Sequence, residues 1–194
     1  MRQAHRCRMV TIHQRRRVLV GLAVAPAAFL TIGRSIGAPQ GFAETLRIAS
    51  VAHQRELSRH HDYIAYAKRA KEDGYPGIAY LFMAFATSEF VHVENFRRIL
   101  ARLGADTPGK ADPPLIVGHT RDNLLKAAND EIDDIDRFYP EALARLAPEA
   151  DADALASVRF ALESEKQHRD RIRTIQKWSP LLFETVARTI DKKT

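Results

Sequence analysis

Four long stretches of this chain carry apolar residues at steps of three and four, the period of a helix with one buried face, and no run alternates as a strand would. The first spans residues 44–73 and stops at Gly74-Tyr75-Pro76-Gly77, where glycine and proline together break a helix. The second spans 78–103 and stops at Gly104. A polar connection holding Pro108, Pro113 and Pro114 follows, too long for a tight helical hairpin. The third spans 119–146. The fourth begins after Pro148 and runs to 178, and Pro180 then precedes a short amphipathic segment over 181–190. Short link, long link, short link predicts an all-α chain, a four-helix bundle with one long crossover connection.

Two of the apolar stripes are interrupted by polar residues. Ile78, Phe82, Phe85, Ala86, Val93, Phe96 and Leu100 form the second helix's stripe, and Glu89 and His92 lie inside it. Val158, Ala161, Ile172 and Ile175 belong to the fourth, and Glu165 and His168 lie inside that one. A carboxylate facing hydrocarbon is destabilising unless a partner compensates it. Both pairs read Glu-x-x-His. At i and i+3 the two side chains project roughly 60° apart and about 4.5 Å along the helix axis, so both reach one point.

The spacing of the acids adds to this. Glu56 precedes Glu89 by 33 residues and Glu131 precedes Glu165 by 34, so the chain reads as a duplicated helical hairpin. Folding the bundle would aim all four glutamates at one central volume, where two divalent cations balance four negative charges. Asp134, three residues after Glu131, adds a fifth acid on that face, although it sits in an acidic run common on exposed helix surfaces. Tyr63 follows Glu56 by seven residues and Tyr139 follows Glu131 by eight, where each can donate a hydrogen bond to a ligating carboxylate and deliver protons. His53, one turn before Glu56, is either an extra ligand or a packing residue. The competing reading of the Glu-x-x-His pairs is a solvated face with ordinary ion pairs, such as Glu89 to Arg97 or Glu165 to Arg169.

Charge changes the picture mainly at the N-terminus. The 194 residues carry 30 Lys+Arg against 24 Asp+Glu. Residues 1–43 hold seven of the arginines and no acid, which leaves 23 basic against 24 acidic side chains over 44–194. With no basic excess in the bundle, nucleic acid is excluded as a partner. Residues 18–33 are uncharged and apolar but shorter than the roughly 20 residues of a bilayer span. Basic start, short apolar core and small residues at Gly41-Phe42-Ala43 read as an export signal over 1–43, cleaved near Ala43. R-R-R-V-L at 15–19 resembles a twin-arginine signal, which implies a periplasmic or otherwise exported protein that folds before transport. One cysteine, Cys7, excludes a disulfide framework and a four-cysteine metal site.

Residues 46–178 resemble the rubrerythrin family. The resemblance rests on K-E-D-G-Y at 71–75 followed by Glu89-x-x-His92. It continues in Asn123-Leu124, Glu131-x-x-Asp134, Phe138-Tyr139-Pro140-Glu141 and Glu165-x-x-His168. It implies a ferritin-like bundle over 44–178 with a short helical tail over 179–194. It also implies two iron ions, with manganese as the alternative, held by Glu56, Glu89, His92, Glu131, Asp134, Glu165 and His168. The family usually has glutamate where Asp134 stands, one methylene longer. The implied activity is a peroxidase: an exported non-haem di-iron oxidoreductase that takes hydrogen peroxide, or dioxygen, and forms water. Family members often continue into a four-cysteine rubredoxin domain. Here no cysteine follows the fourth helix, so a separate electron-donor protein is expected, along with a homodimer. The alternatives are a ferroxidase or iron-handling protein, and a non-catalytic metal-binding stress protein on the same fold.

Overall fold

The computed structural model describes residues 41–108 and 116–188. The basic leader up to residue 40, with its twin-arginine-like run, lies outside them. Six α-helices and one π-helical segment follow in order: α1 (Ala43–Glu72), α2 (Pro76–Arg102), α3 (Thr120–Asp133), the π segment (Asp134–Phe138), α4 (Tyr139–Leu146), α5 (Ala152–Gln176) and α6 (Pro180–Ala187). No strand occurs among the described residues, and no helix among them is long and apolar enough to cross a membrane. The backbone stays helical through both junctions of the π segment, so α3, the π segment and α4 are one continuous rod.

The chain punctuation acts as its residues dictate. At the end of α1, Gly74 takes φ +81°, the N–H of Tyr75 donates to Ala70 O and that of Gly74 to Lys71 O. The end of α2 repeats the motif at Gly104, with Ala105 bonded to Leu100 O and Gly104 to Ala101 O. A left-handed glycine is what lets both bonds close without strain. Pro76 then opens α2 and Pro180 opens α6, each at a position that needs no N–H. In the fourth helix the start differs from expectation. Residues 147–151 remain a loop, with Ala150 at φ +52°, and Asp151 caps α5 by accepting from Ala154 N.

The α1–α2 hairpin packs against a second hairpin made of the α3–α4 rod and α5. Two apolar blocks fill the interior. One gathers Tyr63, Tyr66, Ala70, Ile78, Phe82, Phe85, Leu124, Ile172 and Phe183; the other gathers Ile48, Ala52, Phe96, Leu100, Tyr139, Leu146, Val158 and Ala161. On every long helix the stretch between the two blocks holds the buried acids and histidines: Glu56 on α1, Glu89 and His92 on α2, Glu131 on α3, Glu165 and His168 on α5. A polar layer is thus sealed between two hydrocarbon layers.

The π segment accounts for the unequal spacing of the two halves. Eight α-helical residues turn about 80° beyond two full turns, which would swing position 139 off the face of Glu131. One wider turn absorbs the extra residue and returns Tyr139 to the interior, where it is 1% exposed.

Each hairpin also lends the other a carboxylate cap. Glu149 accepts from the N–H groups of Glu44 and Thr45 at 2.8 and 2.7 Å, and Asp73 accepts from Thr120 N and Oγ1 at 2.9 and 2.7 Å. Neither α1 nor α3 has a side-chain cap of its own from the preceding residue. Glu149→Ala is therefore expected to destabilise the bundle by about 1–2 kcal/mol, a typical capping loss. Denaturant unfolding checks this, and an unchanged midpoint would show that the cap is redundant.

Candidate metal centre

The central layer brings together the four glutamates and two histidines singled out by their spacing. One ligand-type atom each from Glu89, Glu131, Glu165 and His168 lies within 4.8 Å of the others. His168 Nδ1 faces this group, 3.1 Å from Glu89 Oε1, 3.3 Å from Glu165 Oε2 and 3.6 Å from Glu131 Oε1. His92 Nε2 stands 3.9 Å from Glu89 Oε2, and Glu56 is buried beside Glu89 and feels its charge. The solvated-face alternative fails: Arg97 pairs with Glu94 and Arg169 with Asp170, while Glu89 and Glu165 are buried.

Both oxygens of Glu89 and of Glu165, one of Glu131, both nitrogens of His92 and Nδ1 of His168 are buried without a well-aligned hydrogen bond, although His168 lies at ion-pair distance from three of these carboxylates. So many orphaned polar atoms at one point are costly in a closed protein interior and mark a place for cations. The donor set is carboxylate oxygen and imidazole nitrogen, which suits iron or manganese, and no thiolate is present among the described residues. The residues present fit a di-metal carboxylate centre with four glutamates and two Glu-x-x-His histidines.

Electrostatics shows the same frustration. Burial and then the charge of Glu89 push Glu56 well above the ordinary carboxylate range. Burial, with Glu89 and Glu131 next, does the same to Glu165. Burial opposes ionisation of Glu131 too, but Glu165, His168 and Arg59 outweigh it and hold it down to about 2. His168 resists charging because it is buried, yet Glu131 and Glu89 raise it to about 9. His92 is lowered to about 4, by burial first and by the charge on His168 second.

The tyrosines divide. The Tyr63 hydroxyl donates to Glu131 Oε1, and Tyr139 is buried with its hydroxyl unpartnered. Asp134 is placed differently from the expectation that it ligates. Its Oδ1 accepts from Arg55 and its Oδ2 from Arg59 Nη2 at 2.8 Å, so both oxygens are held by arginines of α1. His53 is buried, with Nδ1 unpartnered and its pKa lowered by burial, but does not belong to the four-residue group.

Sequence reasoning missed the residues that orient His168. Ser164 Oγ lies 3.4 Å from its Nε2 and 3.0 Å from Ser88 Oγ, while the Phe85 ring packs 4.2 Å from the imidazole. A partner on Nε2 leaves Nδ1 free for a metal, as ligating histidines require. Serines carry no helical signature, so only their position four residues before His168 and one before Glu89 hinted at this. A surface cavity of about 470 Å³ around Leu81, Arg171 and Trp178 is lined by none of the cluster residues.

These shifts fix a pH dependence for the metal-free protein. Glu56, Glu165 and His168 have folded values above their unfolded ones, so their contribution is full below the unfolded values of 4.5 and 6.5 and is lost as pH rises, for His168 through about 9. His92 and Glu131 act in the opposite sense, but their contributions are complete above pH 6.5 and 4.5 respectively. Metal-free protein should therefore lose thermal stability between about pH 6.5 and 9. Anaerobic loading with Fe(II) should abolish that slope and release protons, since the metal displaces them. A metal-free melting temperature that climbs across this window would contradict the assignment.

Comparison with known proteins agrees with this geometry. Residues 48–176 match the family described as Rubrerythrin. Rubrerythrin-2 of Clostridium acetobutylicum is 31% identical over 117 residues, covering 60% of this chain and 64% of that protein. Nigerythrin of Nitratidesulfovibrio vulgaris is 32% identical over 130 residues, covering 66% and 63%. The chain thus spans just under two thirds of the length of these relatives. The solved structure of fully reduced, all-ferrous nigerythrin superposes with TM-score 0.62 at 27% identity, covering 78% of this chain and 74% of that one. Bacterioferritin BfrA of Mycobacterium tuberculosis, at 16% identity, shares the fold with TM-score 0.70 over 76% of this chain and 95% of its own. By family match, fold and the residues of its central layer, the chain belongs to the rubrerythrin family.

Proposed function

We propose that this chain is an exported di-iron oxidoreductase that reduces hydrogen peroxide to water with electrons from a separate donor protein. The observation that carries the reading is the sealed layer of unpartnered carboxylate and imidazole atoms, with a tyrosine hydroxyl bonded to one carboxylate. Glu56, Glu89, His92, Glu131, Glu165 and His168 would hold the metals. Support for iron comes from nigerythrin, whose structures include mixed-valence, partially reduced and all-ferrous states. Held there as ferrous ions, the pair would supply one electron each, the two that with two protons convert hydrogen peroxide to two waters.

The protein's own share of the chemistry is placement and proton handling. Phe82, Phe85 and Tyr63 wall one side of the layer and keep bulk water from it. Phe160, half exposed, covers the His92 ring at 5.2 Å. Tyr63 fixes the orientation of Glu131 through its hydroxyl and holds a proton at that atom. Burial and the Glu131 charge raise its pKa well above the usual tyrosine value, so it stays protonated at neutral pH. Tyr139, buried and unpartnered, offers a second hydroxyl of the same kind. Ser164 holds the far nitrogen of His168.

Single-turnover oxidation of the anaerobic Fe(II) form tests the activity. Peroxide is expected to oxidise it at least ten-fold faster than dioxygen, with about two irons oxidised per peroxide and per chain. Glu131→Ala should lose iron and the reaction together. Oxygen-driven oxidation of added iron well beyond two per chain would identify a ferroxidase instead. No oxidation by either would leave a metal that only stabilises the bundle.

Export rests on residues 1–43, through the arginine run and the apolar stretch that follows it. Replacing Arg15 and Arg16 by lysines is expected to trap the protein inside the cell, while the exported wild type begins near Glu44. An exported form that retains Met1 and is indifferent to the lysines would overturn this.

A further inference from the structure

The acidic run of the third helix does not all point at solvent. It meets two arginines of α1 in a ladder. Arg55 and Arg59 are four residues apart on α1, as are Asp130 and Asp134 on the facing rod, with Asp133 beside them. Arg55 Nε donates to Asp134 Oδ1 at 2.8 Å and its Nη2 to Asp133 Oδ2 at 2.8 Å. Arg59 Nη2 donates to Asp134 Oδ2 at 2.8 Å and its Nη1 lies 2.7 Å from Asp130 Oδ2. Arg55 also stacks on the Phe138 ring, 4.6 Å from its centroid, at the end of the π segment.

Exposure falls steadily inward along this ladder. The side chains of Asp133 and Arg55 are 39% and 29% exposed, those of Arg59 and Asp134 only 13% and 7%. Outside, Arg55, Ser58, Arg59, Asp130 and Asp133 line a depression of about 310 Å³. Inside, Arg59 lies one turn after Glu56 on α1 and Asp134 one turn after Glu131 on the rod, so the inner end of the ladder abuts the central layer. The two outer acids have further cations of their own, Lys126 on Asp130 and Arg137 on Asp133. Asp134 therefore meets two guanidinium groups, which offset its charge at the inner end of the ladder.

We propose that Arg55 and Arg59 form a clamp that withholds Asp134 from the metals and offsets its negative charge, favouring the reduced over the oxidised centre relative to an unclamped Asp134. This rests on the di-metal reading above. Oxidising two ions adds two positive charges in a weakly screened interior, and a buried cation nearby opposes that step. An unclamped Asp134 carboxylate would do the reverse. Arg55 and Arg59 are thus positioning residues, acting through Asp134 and through their field.

The test uses the full chain loaded anaerobically with Fe(II), reading irons per chain and the midpoint potential by spectroelectrochemical titration. Asp134→Asn is expected to keep two irons and to raise the potential. Arg59→Gln and Arg55→Gln should keep iron and lower it, and Arg59→Lys should stay near the wild type. If Arg59→Gln does not fold, Arg55→Gln, at the more exposed end, gives the same sign. Loss of an iron in Asp134→Asn, or potentials unmoved in the arginine variants, overturns the clamp while leaving the di-metal reading intact. A wild type that takes up no iron overturns the di-metal reading instead.

Discussion

Everything in this bundle is arranged around the burial of like charges. Glu89 and Glu131 are wholly buried and Glu56 and Glu165 nearly so, in one layer between two blocks of hydrocarbon. Without cations such a layer can exist only by taking up protons, which is why Glu56, Glu165 and His168 all hold theirs more tightly than free side chains do. The apolar blocks supply the folding drive that keeps the acids in place, and the acids supply a binding site that folding alone would never favour. Stability and metal affinity are therefore linked, each measured at the expense of the other.

The layer stays intact because the two hairpins are tied at their ends as well as packed at their centre. Asp73 caps the helix that starts the second hairpin, and Glu149 caps the one that starts the first. Each cap reaches across the bundle rather than along its own helix, so the relative height of the hairpins is fixed on both sides. That height decides whether Glu56 and Glu89 meet Glu131 and Glu165 at one level. The π segment serves the same end within a single helix, keeping Glu131 and Tyr139 on the interior face despite one extra residue between them.

The duplicated halves are equivalent in ligands but not in surroundings. Tyr63 reaches Glu131, whereas Tyr139 reaches nothing with its hydroxyl. His168 faces three carboxylates and has a serine behind it, whereas His92 stands farther off, with Phe160 over its ring. Asp134 and its two arginines occur on one side alone. Asymmetry of this kind would give two bound ions different environments.

The four helices, most of their breaks and the burial of six acids and histidines in one central layer were legible in the sequence. Helical period, glycine and proline punctuation and the 33- and 34-residue spacings are local quantities, and a polar pair inside an apolar stripe can be seen without knowing what lies opposite. The fate of Asp134 was not legible. Its i+3 position after Glu131 is as good for ligation as that of His168 after Glu165, and only the facing helix shows that Arg55 and Arg59 reach it first. The π turn was hidden for a similar reason. A one-residue excess can be absorbed by a turn, a loop or a rotation, and packing against the other hairpin selects among them. Ser88 and Ser164 carried little signal beyond their positions, because a small hydroxyl says little about helix formation and gains meaning only beside an imidazole. Sequence determined which residues would be buried together, because burial follows the period of each helix taken singly. Tertiary structure decided which of them pair, because hydrogen bonds and ion pairs depend on distances between helices far apart in the chain.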